Sequence, residues 1–418
     1  MNLAKYWPGF SFVATMHCMK KILIFSLAYY PKFVGGAEVA IKEITDRTAP
    51  QEYEFHMVTL KFDSNLPKQE KIGNVMIHRI GFSKASATIS DLQTFPLKLN
   101  KPLFQFLAFF EAVRLHFRYH FDATWAMMAH STGVPAGLFK TFFPKVSYLL
   151  TLQEGDPIDY ILKKMQPIAP LFKRAFTKAD IVQPISTFLG SWAKQMGYSG
   201  TLEIIPNAVN TKHFAQAFSG SELAPIKEIL HKKEAETLMI TTSRLVTKNA
   251  VDDCIRALPL LPGAVRFIVL GIGPDEEMLK QLAHELGVAD RVMFLGQVDH
   301  TEMPKYLKAS EIFIRPSLSE GMGNSFVEAM AAELPVIATQ EGGIADFLFD
   351  PVLNPDKAPT GRAVKPRDPE GIAKAVIAFV TDTDATRAIV ANAKKLAFEK
   401  YDWDLIAKDM KERVFSKL

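Results

Sequence analysis

The stretch Arg315 to Thr339, RPSLSEGMGNSFVEAMAAELPVIAT, constrains this 418-residue chain more than any other. It opens on the end of an apolar run, Ile312-Phe313-Ile314, and closes on another, Val336-Ile337-Ala338, each short enough to be a buried parallel strand. Between them stand Gly321 and Gly323, then a helical pattern. Ser325 with Glu328 three residues later spells a capping box, which predicts Ser325 as the helix N-cap. Strand, glycine turn, helix, strand places free backbone N–H groups and the positive end of a helix dipole at the carboxyl edge of a parallel sheet, where they attract an anion. Glu320 and Glu328 frame the turn with seven residues between them. A carboxylate repels a phosphate, so beside an anion site these two suit the sugar hydroxyls of a nucleotide or nucleotide sugar. The residues alone leave a second reading open, in which Glu328 completes its capping box and Glu320 is a solvated loop acid.

The same alternation runs through the chain. Ile22–Phe25, Phe55–Leu60, Val75–Ile80, Ala123–Trp125, Val146–Leu150 and Ile181-Val182 are strand-like runs separated by helical patterns. Ser219 to Glu236 is polar and lysine-rich, a passage between domains, and Leu238–Thr241, Phe267–Leu270 and Val292–Phe294 resume the rhythm. The expected fold is α/β, two doubly wound parallel-sheet domains over 19–218 and 237–401, with 402–418 a helix packing back on the first. Residues 1–18 read as a flexible extension, with Met19-Lys20-Lys21 opening the fold. A net charge of +4 is too mild to argue for nucleic acid. No apolar run approaches the ~20 residues of a membrane span. Cys18 and Cys254 make no metal or redox spacing, which fits a reducing compartment.

Glu320-Gly-Met-Gly-Asn-Ser-Phe-Val-Glu328, the Ala-Met-Ala-Ala and Leu-Pro-Val-Ile-Ala that follow, and Gly342-Gly343-Ile344 with Asp346 resemble the signature of retaining glycosyltransferase family 4, also called glycosyltransferase group 1, of GT-B fold. The resemblance implies two Rossmann-like domains facing across a cleft, the second holding the donor and the first the acceptor. It puts Glu320 at the transferred sugar and Glu328 at the ribose. It also puts Gly321, Met322, Gly323, Asn324 and Ser325 on the sugar and diphosphate. Gly35 and Gly36, after the first strand, fall on a glycine loop facing the donor phosphates and acceptor. Arg244 and Lys248 fall on the diphosphate, although Asn249-Ala250 stand where relatives carry Lys-Gly. Gln153 replaces a histidine common in the family. Gln153, Glu154 and Asn207 are candidate sugar or acceptor contacts, and His130 reads as structural. Glu333 stands where relatives carry a glycine after the helix, so that helix end is expected to differ.

By the same resemblance the substrates are a nucleotide-diphosphate sugar and a glycan or lipid-linked acceptor, as in polysaccharide or lipopolysaccharide synthesis, with no cofactor and no metal. Asp382-Thr383-Asp384 and Asp402-Trp403-Asp404 read as helix caps rather than metal ligands. The alternatives are an inactive relative that binds a nucleotide sugar or glycan, or a GT-B phosphorylase or epimerase. One helix carries a question of its own. Leu103, Phe106, Leu107, Phe110, Val113 and Phe117 form a stripe expected to face the core, with Phe104 and Phe109 off it. With Lys98, Lys101, Arg114 and Arg118 beside it, the other reading is an interfacial helix on the inner, cytoplasmic face of an anionic membrane.

Overall fold

The computed structural model describes residues 19–32, 34–87 and 90–418, and the 1–18 extension lies outside the described residues. The apolar runs fold into two sheets. The first holds β1 (Lys20–Phe25), β2 (Tyr53–Leu60), β3 (Gln69–Ile72), β4 (Val75–Ile80), β5 (Ala123–Met127), β6 (Ser147–Leu152) and β7 (Ile181–Pro184). Its order is β3-β4-β2-β1-β5-β6-β7, parallel except for β3, which runs antiparallel on β4. The edge strand β3 reads Gln-Glu-Lys-Ile with alternating exposure, so no apolar run marks it. The second sheet holds β8 (Thr237–Thr242), β9 (Val265–Leu270), β10 (Val292–Gly296), β11 (Ile312–Arg315), β12 (Val336–Ala338) and β13 (Arg362–Ala363). It is parallel in the order β10-β9-β8-β11-β12-β13. Strand order reverses beside β1 and beside β8. These are the switch points where crevices open at the carboxyl ends of doubly wound sheets.

Helices α1 (Gly36–Asp46) and α2 (Asn100–Tyr119) flank the first sheet. In α2 the expected stripe is reversed. Phe104, Ala108, Ala112 and Leu115 are fully buried, whereas Leu103, Phe106, Leu107, Phe110 and Phe117 are exposed, the last two at 65% and 69%. Both sets recur at helical spacing. The one containing alanines lets the helix approach its neighbours closely, and it is the one that packs. Phe109 is half-buried, against the ring of Phe142.

After Asp156 the chain enters helix Ile158–Met165, with Pro157 as its cap. The helix breaks at Gln166–Ile168 and resumes as Ala169–Thr177, with Pro167 and Pro170 at the interruption. The polar passage after residue 218 carries a helix, Gly220–Ile229, closed by a Ser219–Glu222 capping box. Asp382 and Asp402 cap helices through their side chains. The last residues return to the first domain, where the Phe415 ring packs on Tyr53, Phe55 and Trp125 and Lys417 Nζ bonds Glu203 Oε1 at 2.6 Å.

Candidate active site

The loop after β11 leads into the helix Asn324–Ala331, which begins two residues earlier than a Ser325 cap would place it. Gly323 is the cap, at φ +89°, and a Cβ there would stand 2.6 Å from the Phe326 ring and 2.8 Å from Arg315 Nη2. The expected capping box is therefore absent, for a physical reason. Ser325 Oγ is occupied in accepting from Arg315 Nη1 at 2.8 Å, and Glu328 reaches His300, with Oε1 3.2 Å from Nε2. That bond to Glu328 raises the pKa of His300. Glu328 thus has no capping duty and lies on the surface of the helix facing the loop after β10.

Glu320 is held from behind. Its Oε1 accepts from Arg315 Nη2 at 2.7 Å, and its side chain is only 12% exposed. Its carbonyl accepts from the Gly343 N–H at 3.0 Å, and a Cβ on Gly343 would collide with the Gly321 carbonyl. The downstream Gly342-Gly343 pair is thus a buttress for the Glu320-Gly321 turn. Asp346 joins the domains, accepting from the Thr187 N–H at 2.8 Å and from its hydroxyl. At the far end of the helix Glu333 takes φ +64° despite its side chain, so the helix closes as a glycine would close it. Lys308 at 3.2 Å and Lys394 at 3.1 Å partner its carboxylate.

The first domain supplies the opposite wall. Lys248 Nζ crosses the cleft to donate to the Gly155 carbonyl at 2.6 Å, with Asp156 Oδ1 3.5 Å away, and Ser319 Oγ donates to the same carbonyl at 3.3 Å. A Cβ on Gly155 would lie 3.8 Å from Glu320 Oε2 and 3.8 Å from the Gly321 nitrogen. Gln153 Oε1 accepts from Asn207 Nδ2 at 3.0 Å, and Asn207 Nδ2 also borders Gly36, 4.0 Å from where its Cβ would be. Gly35 caps α1, its N–H donating to Glu38 Oε2 at 2.8 Å, and burial raises the Glu38 pKa. Glu154 turns inward. It is 1% exposed, Oε2 accepting from the Gln153 N–H at 3.0 Å and Oε1 3.4 Å from His130 Nδ1, so its carboxylate stands behind the wall rather than on it. His130 itself lies in a π-turn, Ala129–Gly133, entered through Met128 at φ +67°.

Arg244 is exposed, in the loop after β8. Burial first, then the nearby cations Lys164 and Arg244, push the Lys101 ammonium below the usual lysine range, with Asp156 opposing.

Sequence reasoning passed over Arg315 and His300. Arg315 was visible only as the last residue of an apolar strand, where a cation is out of place. His300 is a lone histidine in a loop with no spacing to announce it.

Residues 224–396 match the family described as glycosyl transferases group 1. That match spans the second domain, less than half of the chain. The chain is a glycosyltransferase, and its two parallel-sheet domains form the GT-B fold. It is 25% identical over 407 residues to an uncharacterized glycosyltransferase of Methanocaldococcus jannaschii, covering 93% of this chain and 96% of that one. It is 30% identical over 255 residues to a GDP-mannose-dependent alpha-(1-6)-phosphatidylinositol monomannoside mannosyltransferase of Mycobacterium tuberculosis, an alignment spanning 58% of this chain and 64% of that relative. The crystal structure of Anabaena HepE in complex with UDP and glucose superposes with a TM-score of 0.73 at 20% identity, covering 96% of this chain and all of that one.

Proposed function

We propose that this glycosyltransferase moves a hexose from a nucleotide-diphosphate sugar, with retention, to a glycan or lipid-linked acceptor at the inner face of a membrane. One observation carries the donor reading. The Glu320-Gly321 turn and the cation Lys248 meet at Gly155 in the interdomain cleft, with Arg244 exposed in the loop after the same strand that precedes Lys248. Breaking the anomeric bond leaves a diphosphate, and amides with two cations stabilise that anion without a metal. Retention uses a donor phosphate oxygen to take the acceptor proton, so no side chain is required as general base. This leaves Glu320 to orient the sugar and Glu328 to bind the ribose, once the nucleotide displaces His300.

The acceptor side rests on α2. Leu103, Phe106, Leu107 and Phe110 are exposed, with Lys101 and Arg118 nearby, the composition of a helix lying on an anionic lipid surface. The relatives' names point to different nucleotides, GDP-mannose for one and UDP for another. The test is therefore a panel of radiolabelled UDP, GDP and ADP hexoses incubated with the full chain in excess EDTA. Release of free sugar or labelled lipid from one of them supports the reading. An absolute requirement for manganese or magnesium, or no turnover of any donor, contradicts it.

A further inference from the structure

Arg315 closes a strand whose other residues, Ile312-Phe313-Ile314, are apolar and fully buried, and it is itself only 7% exposed. A buried guanidinium is costly unless its donors are matched. Here the fork is divided among separate elements. Nη2 donates to Glu320 Oε1 at 2.7 Å, Nη1 donates to Ser325 Oγ at 2.8 Å, and Nη1 also lies 3.4 Å from the Thr242 carbonyl at the end of β8. Its plane sits 4.3 Å from the centroid of Phe326. Nε is buried without a hydrogen-bond partner among the described residues, so the side chain is placed for its two terminal nitrogens rather than for full satisfaction. A residue that only filled this volume would be aliphatic. A planar fork fixes a carboxylate in direction as well as in distance.

The consequence falls on the other oxygen. With Oε1 held, Glu320 Oε2 is left without a hydrogen bond among the described residues and points toward Gly155, the first-domain wall that Lys248 also reaches. We propose that Arg315 is the positioning residue of the transfer reaction, locking Glu320 so that Oε2 alone meets a hydroxyl of the sugar being transferred. This rests on the role given to Glu320 above. Arg315 touches neither donor nor acceptor; it acts through that carboxylate. Since the contact is to the sugar, its loss should be felt in turnover and not in binding of the nucleotide alone.

The experiment compares the full chain with R315K, R315M, E320Q and R315M/E320Q, reading kcat and KM for donor hydrolysis or transfer, calorimetric affinity for UDP and GDP, and melting temperature. R315M is expected to lower kcat by about tenfold or more, the scale of a misplaced catalytic group, with nucleotide affinity within about twofold. R315K should recover part of that loss, and R315M/E320Q should be no slower than E320Q. Where R315M does not fold, R315K and the double variant, which removes both charges, carry the comparison. Wild-type kcat in R315M, or a fall in kcat matched by an equal fall in nucleotide affinity, overturns the proposal. Wild-type turnover in E320Q overturns the role of Glu320 itself, whereas a slow E320Q beside an unaffected R315M overturns the role of Arg315 alone.

Discussion

In the second domain the residues assigned to the donor come almost entirely from one continuous loop, Arg315 to Ser325, joined by Arg244 and Lys248 after β8. In the first domain the cleft wall is assembled from separate loop ends, Gly35-Gly36, Gln153 with Gly155-Asp156, and Asn207. A diphosphate demands the same closely spaced amides and cations from every enzyme that cleaves it, so its site is compact in sequence. A wall assembled from distant segments leaves no such single signature in the sequence. The match at 224–396 falls on the compact half. The first domain carries Gln153, where the family resemblance puts a histidine, and the exposed face of α2.

That contrast is open to attack. The largest effect should come from the two faces of α2. Phe104→Ala empties a fully buried site and should lower stability by about 3–5 kcal/mol, read from the denaturant midpoint. Phe106→Ser/Phe110→Ser, on the exposed face, should leave that midpoint within about 0.5 kcal/mol while abolishing co-sedimentation with anionic vesicles, and high salt should release the parent protein. Unchanged vesicle binding by the double variant would remove the membrane from the account of the first domain.

Next comes the donor loop. Glu320→Gln should cut turnover by about 100-fold with the protein still folded, since the amide oxygen can still accept from Arg315 while the carboxylate contact to the sugar is lost. Near-normal turnover would mean that the second domain is no more committed than the first.

A smaller effect concerns pH. In the first sheet His56 Nδ1 and His78 Nε2 are 3.0 Å apart, His56 Nε2 is 2.7 Å from Glu54 Oε1, and Gln69 Nε2 donates to His78 Nδ1 from 3.1 Å. This chain leaves no room for a second proton between the rings. Burial depresses both histidines, His78 from 6.5 to about 4, aided in His78 by the charge of His56. The folded state favours the neutral rings, so this stability is fully present above about 6.5 and is lost as pH falls from there toward about 4. Urea midpoints across that window should fall, and fall less in His78→Gln; a pH-independent midpoint would contradict it.

The smallest effect is expected at Gln153→His, less than about tenfold in turnover in either direction, because Gln153 is engaged with Asn207 rather than with the donor loop. A gain larger than the loss in Glu320→Gln would reverse the ranking of the two halves.

The α/β class, the glycine turn between β11 and its helix, and the place of Glu320 were legible in the sequence. Each rests on local grammar: apolar runs of strand length, glycines at a strand end, and a motif whose members are neighbours in the chain. The tertiary structure decided the rest. Ser325 looked like a cap because caps are recognised by spacing, but a cation arriving from β11 took its hydroxyl and left the cap to Gly323. Glu328 was drawn from its capping box by His300, a residue 28 positions away. In α2 the pattern showed that the helix has apolar faces without showing which one the sheet would take. Alanines at 108 and 112 settled that, because close packing follows the depth to which two surfaces can approach and not the total of their hydrophobicity.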